Sequence, residues 1–216
     1  MPTTVMKILS KNIKRMEIEE YIRERLKDAF FGGVSITSSP IGTNITIYSM
    51  RPGLVIGTRG KVIKALQKEL EEKFGLENLQ ISVSEIEVPE LNPYVMAQRI
   101  AQAISSGVRW RRVAFWALRR IMDAGARGAE ITISGKLTSA RARSEKFFAG
   151  IMPKSGEFAK RYVKTGVAHV QLATGIYGIK VKIYPPDAPL AEEVKIEELK
   201  EGLKVMSSEG AQGVKK

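Results

Sequence analysis

Apolar positions along the chain follow two periods, and each change of period marks an element. Over residues 17–31, Ile18, Tyr21, Ile22, Leu26, Ala29 and Phe30 recur at the spacing of one helical face. Gly32-Gly33 predicts the end of that helix. The period then falls to two. Val34–Ser38 and Asn44–Met50 read as strands joined by a turn at Pro40-Ile41-Gly42-Thr43, with Ile45 and Ile47 on the buried side. Pro52 suits the first turn of a short helix. A longer helix is predicted over Lys61–Phe74, with Val62, Ile63, Leu66, Leu70 and Phe74 facing inward and Gly75 ending it. Leu79–Val88 alternates again through Ile81, Val83 and Ile86. The order is helix, strand, strand, short helix, helix, strand.

Pro89–Pro93 reads as a linker, in which Asn92-Pro93 supplies a cap and first position for a helix from Tyr94 to about Ser106. Gly107 separates it from a second helix, Arg109–Ala124, closed by Gly125. The remaining pattern is of strands: Ala129–Lys136, Ser144–Met152, about Tyr162–Ala173, and Ile176–Tyr184. Pro185-Pro186 ends the folded part. A mixed, acidic tail follows, with a short helix expected near Glu192–Met206.

Composition narrows the functions open to such a chain. Without cysteine, disulfide frameworks, thiolate metal sites and thiol catalysis are excluded. The single histidine, His169, stands in a strand (VAHVQL) and reads as a hydrogen-bonded structural residue; clustered imidazole sites are excluded. No nucleophile elbow, metal-ligand spacing or paired carboxylates stand out, so no catalytic or metal residue is identified. No apolar stretch reaches the length of a signal peptide or a membrane span, which makes the cytoplasm the expected location.

The charge is +12 over 216 residues. Its distribution is more telling than its size. Residues 104–164 hold 14 Lys+Arg against 4 Asp+Glu, whereas residues 1–103 are nearly balanced at 14 against 12. Solubility charge usually mixes the two signs, so a block of this kind predicts a polyanionic partner.

Two segments carry the candidate contacts. Gly57-Thr58-Arg59-Gly60 separates the short helix from the long one. Glycines let a backbone approach phosphates closely, and the helix beginning at Lys61 offers free amides and a positive dipole end. Arg59, Lys61 and Lys64 add charge, and Arg51 heads the same segment. Three other pairs of glycines share this spacing, each with an ordinary reading as a helix stop, a hairpin or tail. A P-loop does not fit, because Val55 and Val62 stand where Gly and Ser/Thr are required. In the second segment, VRWRRVAFWALRRIMDAGARG, helical spacing puts Arg109, Arg112, Arg119 and Arg120 in one arc with Trp116 inside it, Asp123 at its edge and Arg111 at the margin. Guanidinium groups meet phosphate in two places, and Trp116 could stack a base or pack on a neighbouring element. Downstream, Lys136, Arg141, Arg143 and Lys146 lie between two strands and suggest a second phosphate-gripping surface.

The element order with VIGTRG resembles a type II K-homology (KH) domain over residues 17–88. In that family the GxxG loop clamps about four single-stranded nucleotides. Together, RPGLVIGTRG, PELNPYVMAQRIA, WRRVAFWALRRIMDAGARGAEI, SGKLTSARARSEKF and GIKVKIY resemble the universal S-three family of small-subunit ribosomal proteins. The likeness runs over about residues 5–185 and is nearest to the archaeal and eukaryotic branch. It implies an α+β protein: an N-terminal extension (1–16), a type II KH domain (17–88), a C-terminal domain of two helices on a four-stranded sheet (89–186), and an acidic tail (187–216). It also implies a ribosome-bound structural protein in the head of the small subunit. The implied partners are small-subunit rRNA, messenger RNA at its point of entry and neighbouring ribosomal proteins. No cofactor, membrane or small-molecule substrate is implied. Arg111 and Arg112 match the first two positions of the family's basic messenger-gripping cluster. The third falls on Phe115, which leaves Arg119, Arg120 or Arg143 to substitute. Two other functions remain open: a lyase acting on DNA lesions through a desolvated lysine, and a free regulatory KH protein.

Overall fold

The computed structural model describes residues 4–39, 42–76 and 78–189. The first helix, α1, spans Thr4–Arg25. It therefore begins well before the expected residue 17, and the described part of the expected N-terminal extension belongs to it. It also ends sooner than expected. A single 3-10 turn, Lys27–Ala29, follows, and Phe30 takes the left-handed conformation at φ 54°. Phe30 is buried all the same, now by the turn rather than by a helical face. Gly32 and Gly33 are not the stop. They lie inside strand β1 (Phe31–Ser38), where the register with its partner shifts between Phe31 and Gly33. A Cβ on Gly32 would stand 2.3 Å from Ile86 Cδ1, so close approach accounts for that glycine.

Strand β1 pairs antiparallel with β2 (Thr43–Ser49), and Ser39 and Gly42 exchange backbone hydrogen bonds across the turn. The short helix α2 (Pro52–Ile56) and α3 (Lys61–Phe74) lead to β3 (Leu79–Glu85), which runs parallel to β2. The sheet order is β1-β2-β3. Ile18, Ile22, Leu26, Phe31, Ile45, Ile47, Val55, Leu66 and Leu70 close a core between sheet and helices. Each such aliphatic or aromatic side chain contributes roughly 1.5–3 kcal/mol through burial. Val62 departs from expectation: it is exposed and lies against Gly57, one turn away from the core.

The expected linker is a joint. Pro89–Leu91 form one 3-10 turn, and Asn92 caps helix α4 (Pro93–Ser105). Its Oδ1 accepts from Tyr94 N–H at 3.0 Å and Val95 N–H at 3.4 Å. Its Nδ2 donates to the carbonyl of Gly32 at 2.8 Å, which ties the cap to the first sheet. Arg99 pairs with Glu90 at 3.2 Å, and the Arg23 guanidinium sits 4.6 Å from the Tyr94 ring.

Helix α5 (Trp110–Asp123) precedes strands β4 (Gly128–Gly135), β5 (Arg143–Gly150), β6 (Lys164–Leu172) and β7 (Gly175–Tyr184). The antiparallel order is β5-β4-β7-β6. One face of this sheet, through Ala129, Ile131, Ile133, Ile179 and Val181, forms a second core with Met96, Ile100, Val113, Ala117 and Ile121 of the two helices. A further helix, α6 (Gly156–Arg161), stands before β6 where only strands were expected. Its six residues are too few to show a helical period. The ordered chain also passes Pro185-Pro186: Ala188 is buried and the Tyr184 hydroxyl donates to the Pro189 carbonyl. The expected tail helix near Glu192–Met206 lies outside the described residues.

Candidate nucleic-acid interface

The GxxG loop is built on unusual backbone. Gly57, Arg59 and Gly60 all have positive φ, at 70°, 54° and 72°. A Cβ at Gly57 would stand 2.4 Å from Val62 Cγ2, so this glycine is needed for space as well as conformation. Arg59 holds a conformation that costs a non-glycine residue about 1–2 kcal/mol. Its side chain is exposed and makes no ion pair among the described residues. Thr58, Lys61 and Lys64 are exposed beside it. Arg51 stands apart from the loop's charge: its guanidinium lies 4.9 Å from the Phe30 ring at the head of α2. Below the loop, α1 and α3 are joined through Glu69, which accepts from the Tyr21 hydroxyl at 2.7 Å and from Arg25 at 2.8 Å. The Tyr21 hydrogen bond, aided by Arg25, holds the Glu69 carboxyl below its usual range.

Because Thr58 and Arg59 point to solvent, changing both to aspartate should leave thermal unfolding within a degree or two. The same change replaces a cation with two anions and should weaken single-stranded RNA binding at least about tenfold near 0.1 M salt. Unchanged affinity in a filter-binding titration would remove the loop from the interface.

On α5, Val113, Ala114, Ala117, Leu118 and Ile121 are buried, and Arg112, Arg119 and Arg120 are exposed on the far side, as the helical arc requires; Arg109, expected inside the helix, is instead its N-cap residue, with non-helical backbone, and is also exposed. Arg109, Arg112 and Arg119 make no ion pair or ring contact among the described residues. Arg111 differs. Its Nη2 donates to both Glu145 carboxylate oxygens, at 3.1 and 3.3 Å, and its guanidinium lies 4.8 Å from the Trp110 ring. It is thus partly neutralised and turned toward β5. Phe115 follows it there, 5.1 Å from Phe147 edge-on. Trp116 both packs and stays open: Arg99 and Arg120 lie 5.3 and 5.8 Å from its ring, and 41% of the residue remains exposed.

The expected second gripping surface is divided by the pleat. Lys136 and Arg141 lie in or beside the β4–β5 connection, both exposed. Arg143 and Lys146 are on β5, three residues apart, so they face opposite sides of the sheet. Arg143 shares the helix side with Glu145 and Phe147. Lys146 stands on the uncovered side, in register with Thr132 of β4, which in turn opposes Lys180 of β7. Lys180, Lys182 and Phe148, which is 75% exposed, occupy this uncovered face and were not singled out from sequence. Their signal was present: in GIKVKIY lysines alternate with Ile and Val, the mark of a strand with one charged face. His169, expected to be hydrogen-bonded, lies exposed on the same face, and its side chain makes no hydrogen bond among the described residues.

Comparison with known proteins gives two family matches. The KH domain family matches residues 17–91, and the C-terminal domain of ribosomal protein S3 matches residues 100–183. Relatives called small ribosomal subunit protein uS3 match most of the chain. That of Thermofilum pendens is 48% identical over 186 residues, covering 86% of this chain and 92% of the relative. That of Methanosphaera stadtmanae is 44% identical over 190 residues, covering 88% and 75%. That of Archaeoglobus fulgidus is 43% identical over 193 residues, covering 89% and 84%.

Proposed function

Because the chain belongs to the uS3 family of small ribosomal subunit proteins, we propose that it serves the small subunit as a structural, non-catalytic RNA-holding component. It binds small-subunit rRNA in the subunit head, touches neighbouring ribosomal proteins and helps form the channel by which messenger enters. It works in the cytoplasm, bound to the ribosome. Residues 17–88 act as the KH unit and residues 89–186 as the C-terminal unit. In the first, the GxxG loop holds RNA chiefly by backbone geometry. In the second, the arginine row of α5 holds it by charge.

The observation that carries this reading is the row itself. Arg112 and Arg119 project from one side of a helix whose other side is buried, and Arg109 is exposed at its N-cap, in the stretch with 14 cations against 4 anions. Cations in excess on one side of a helix, with Asp123 at its last position as the one acid of α5, are the footprint of a phosphate backbone. Among the described residues no helix is long and apolar enough to cross a membrane.

Sucrose-gradient sedimentation of cell extract tests the assignment. Nearly all of the protein should travel with small subunits at low salt and be stripped from them at high salt. A large slow-sedimenting pool at low salt would favour a free regulatory protein instead.

A further inference from the structure

Between the two halves of the molecule runs a cleft of about 730 Å3. The end of α1 and its following turn form one wall, with Glu20, Glu24 and Asp28; α4 contributes Gln98 and Gln102. Strand β6 closes it with five successive residues, Val167 to Gln171. Neighbouring side chains of a strand point to opposite faces. Five in a row therefore border a cleft only when the edge of the strand looks into it. β6 is an edge strand, with β7 as its one neighbour, and residues 164–172 make no backbone hydrogen bond outside the sheet among the described residues. Such an edge is a template for another strand.

The charge selects among peptides. Of the two cations in the lining, Arg23 is paired with Glu19 at 2.9 Å and Lys27 with Glu24 at 3.7 Å, whereas Glu20 and Asp28 make no ion pair among the described residues, which leaves two unpaired carboxylates on this wall.

We propose that this cleft takes an extended, basic segment of a neighbouring protein, which adds a strand to β6 and sets its cations against Glu20 and Asp28. The proposal rests on the reading of the chain as a ribosomal component, and it assigns one protein contact of that component to a definite edge. Main-chain bonds give such a contact its affinity, and side chains on alternate positions give it specificity.

Hydrogen exchange of the full chain tests it, with an octapeptide alternating lysine and valine as probe. That peptide should slow exchange of amides within Val167–Gln171. An octapeptide alternating glutamate and valine should not. The double variant Glu20→Gln, Asp28→Asn should bind the basic peptide about fivefold less tightly, as expected for two exposed charge pairs. The proposal is overturned by protection elsewhere or none, by equal protection from the acidic peptide, or by an RNA oligonucleotide that protects Val167–Gln171 in the peptide's place. The arginine row does not enter the cleft. Peptide protection should therefore survive its neutralisation, and rRNA binding should survive the Glu20/Asp28 change, so each reading stands or falls on its own measurement.

Discussion

Replacing Gly166 with valine should cost the protein about 3 kcal/mol or more, the upper end of overpacking, at a site that cannot relax. Gly166 sits in β6 opposite Val181, beneath the first turn of α4. A Cβ there would stand 2.4 Å from the carbonyl carbon and oxygen of Pro93 and 2.6 Å from the Tyr94 nitrogen. These are backbone atoms, with no flexible side chain to swing aside. Relief requires α4 to lift from the sheet, which uncovers Val95, Met96 and Ile100 and disturbs the Asn92 cap. Urea denaturation of the full chain measures the loss. Gly53→Ala is the matched control, since nothing stands within 4 Å of its added methyl on the exposed side of α2. It should be neutral or stabilising by up to about 1 kcal/mol. A Gly166→Val protein as stable as the parent would mean that α4 and β6 do not meet as described.

The second large effect is on binding. Changing Arg109, Arg112 and Arg119 together to glutamine should lower the slope of log Kobs against log salt by about 2–3, because each duplex phosphate contact contributes about 0.9 and each single-strand contact about 0.7. At 0.1 M salt this is a loss of roughly 100-fold to 1000-fold in rRNA affinity. Fold stability should hardly change, since all three side chains are exposed and unpaired among the described residues. Arg111→Gln should do much less. Its guanidinium is already engaged by Glu145 and held on the β5 side, so it has less to give to a phosphate. An undiminished slope in the triple variant would show that the row faces solvent in the complex.

The alternation of Ile45 with Ile47 and of Ile179 with Val181, and the single-sided apolar stripe of α5, place their elements within a residue or two in the sequence itself. Burial imposes those patterns, so the patterns can be read backward. Where nothing is buried, nothing is written. The first turns of α1 touch no core, and Val5, Met6, Ile8, Leu9, Ile13 and Met16 are exposed there, so the helix before residue 17 has no inward face to detect. Gly32-Gly33 misleads for a related reason: glycine serves helix ends and close strand approach alike, and only the position of Ile86 decides between them. The candidate interface divides in the same way. The α5 arc follows from helical spacing alone. The tie between Arg111 and Glu145 joins residues 34 apart, and the separation of Lys146 from Arg143 depends on where β5 begins. The cleft beside β6 needs α1, α4 and β6 together, and no local pattern announces it.

One small contact sets the geometry of the whole. Asn92 spends its carbonyl oxygen on starting α4 and its amide on the carbonyl of Gly32. Tilting one half against the other therefore strains the residue that starts α4, which opposes a change in the span between the GxxG loop and the arginine row. The molecule acts as a calliper. An RNA that meets both jaws at their set opening gains the effective concentration of a tethered second site, and one that does not must bend or be held by one jaw alone.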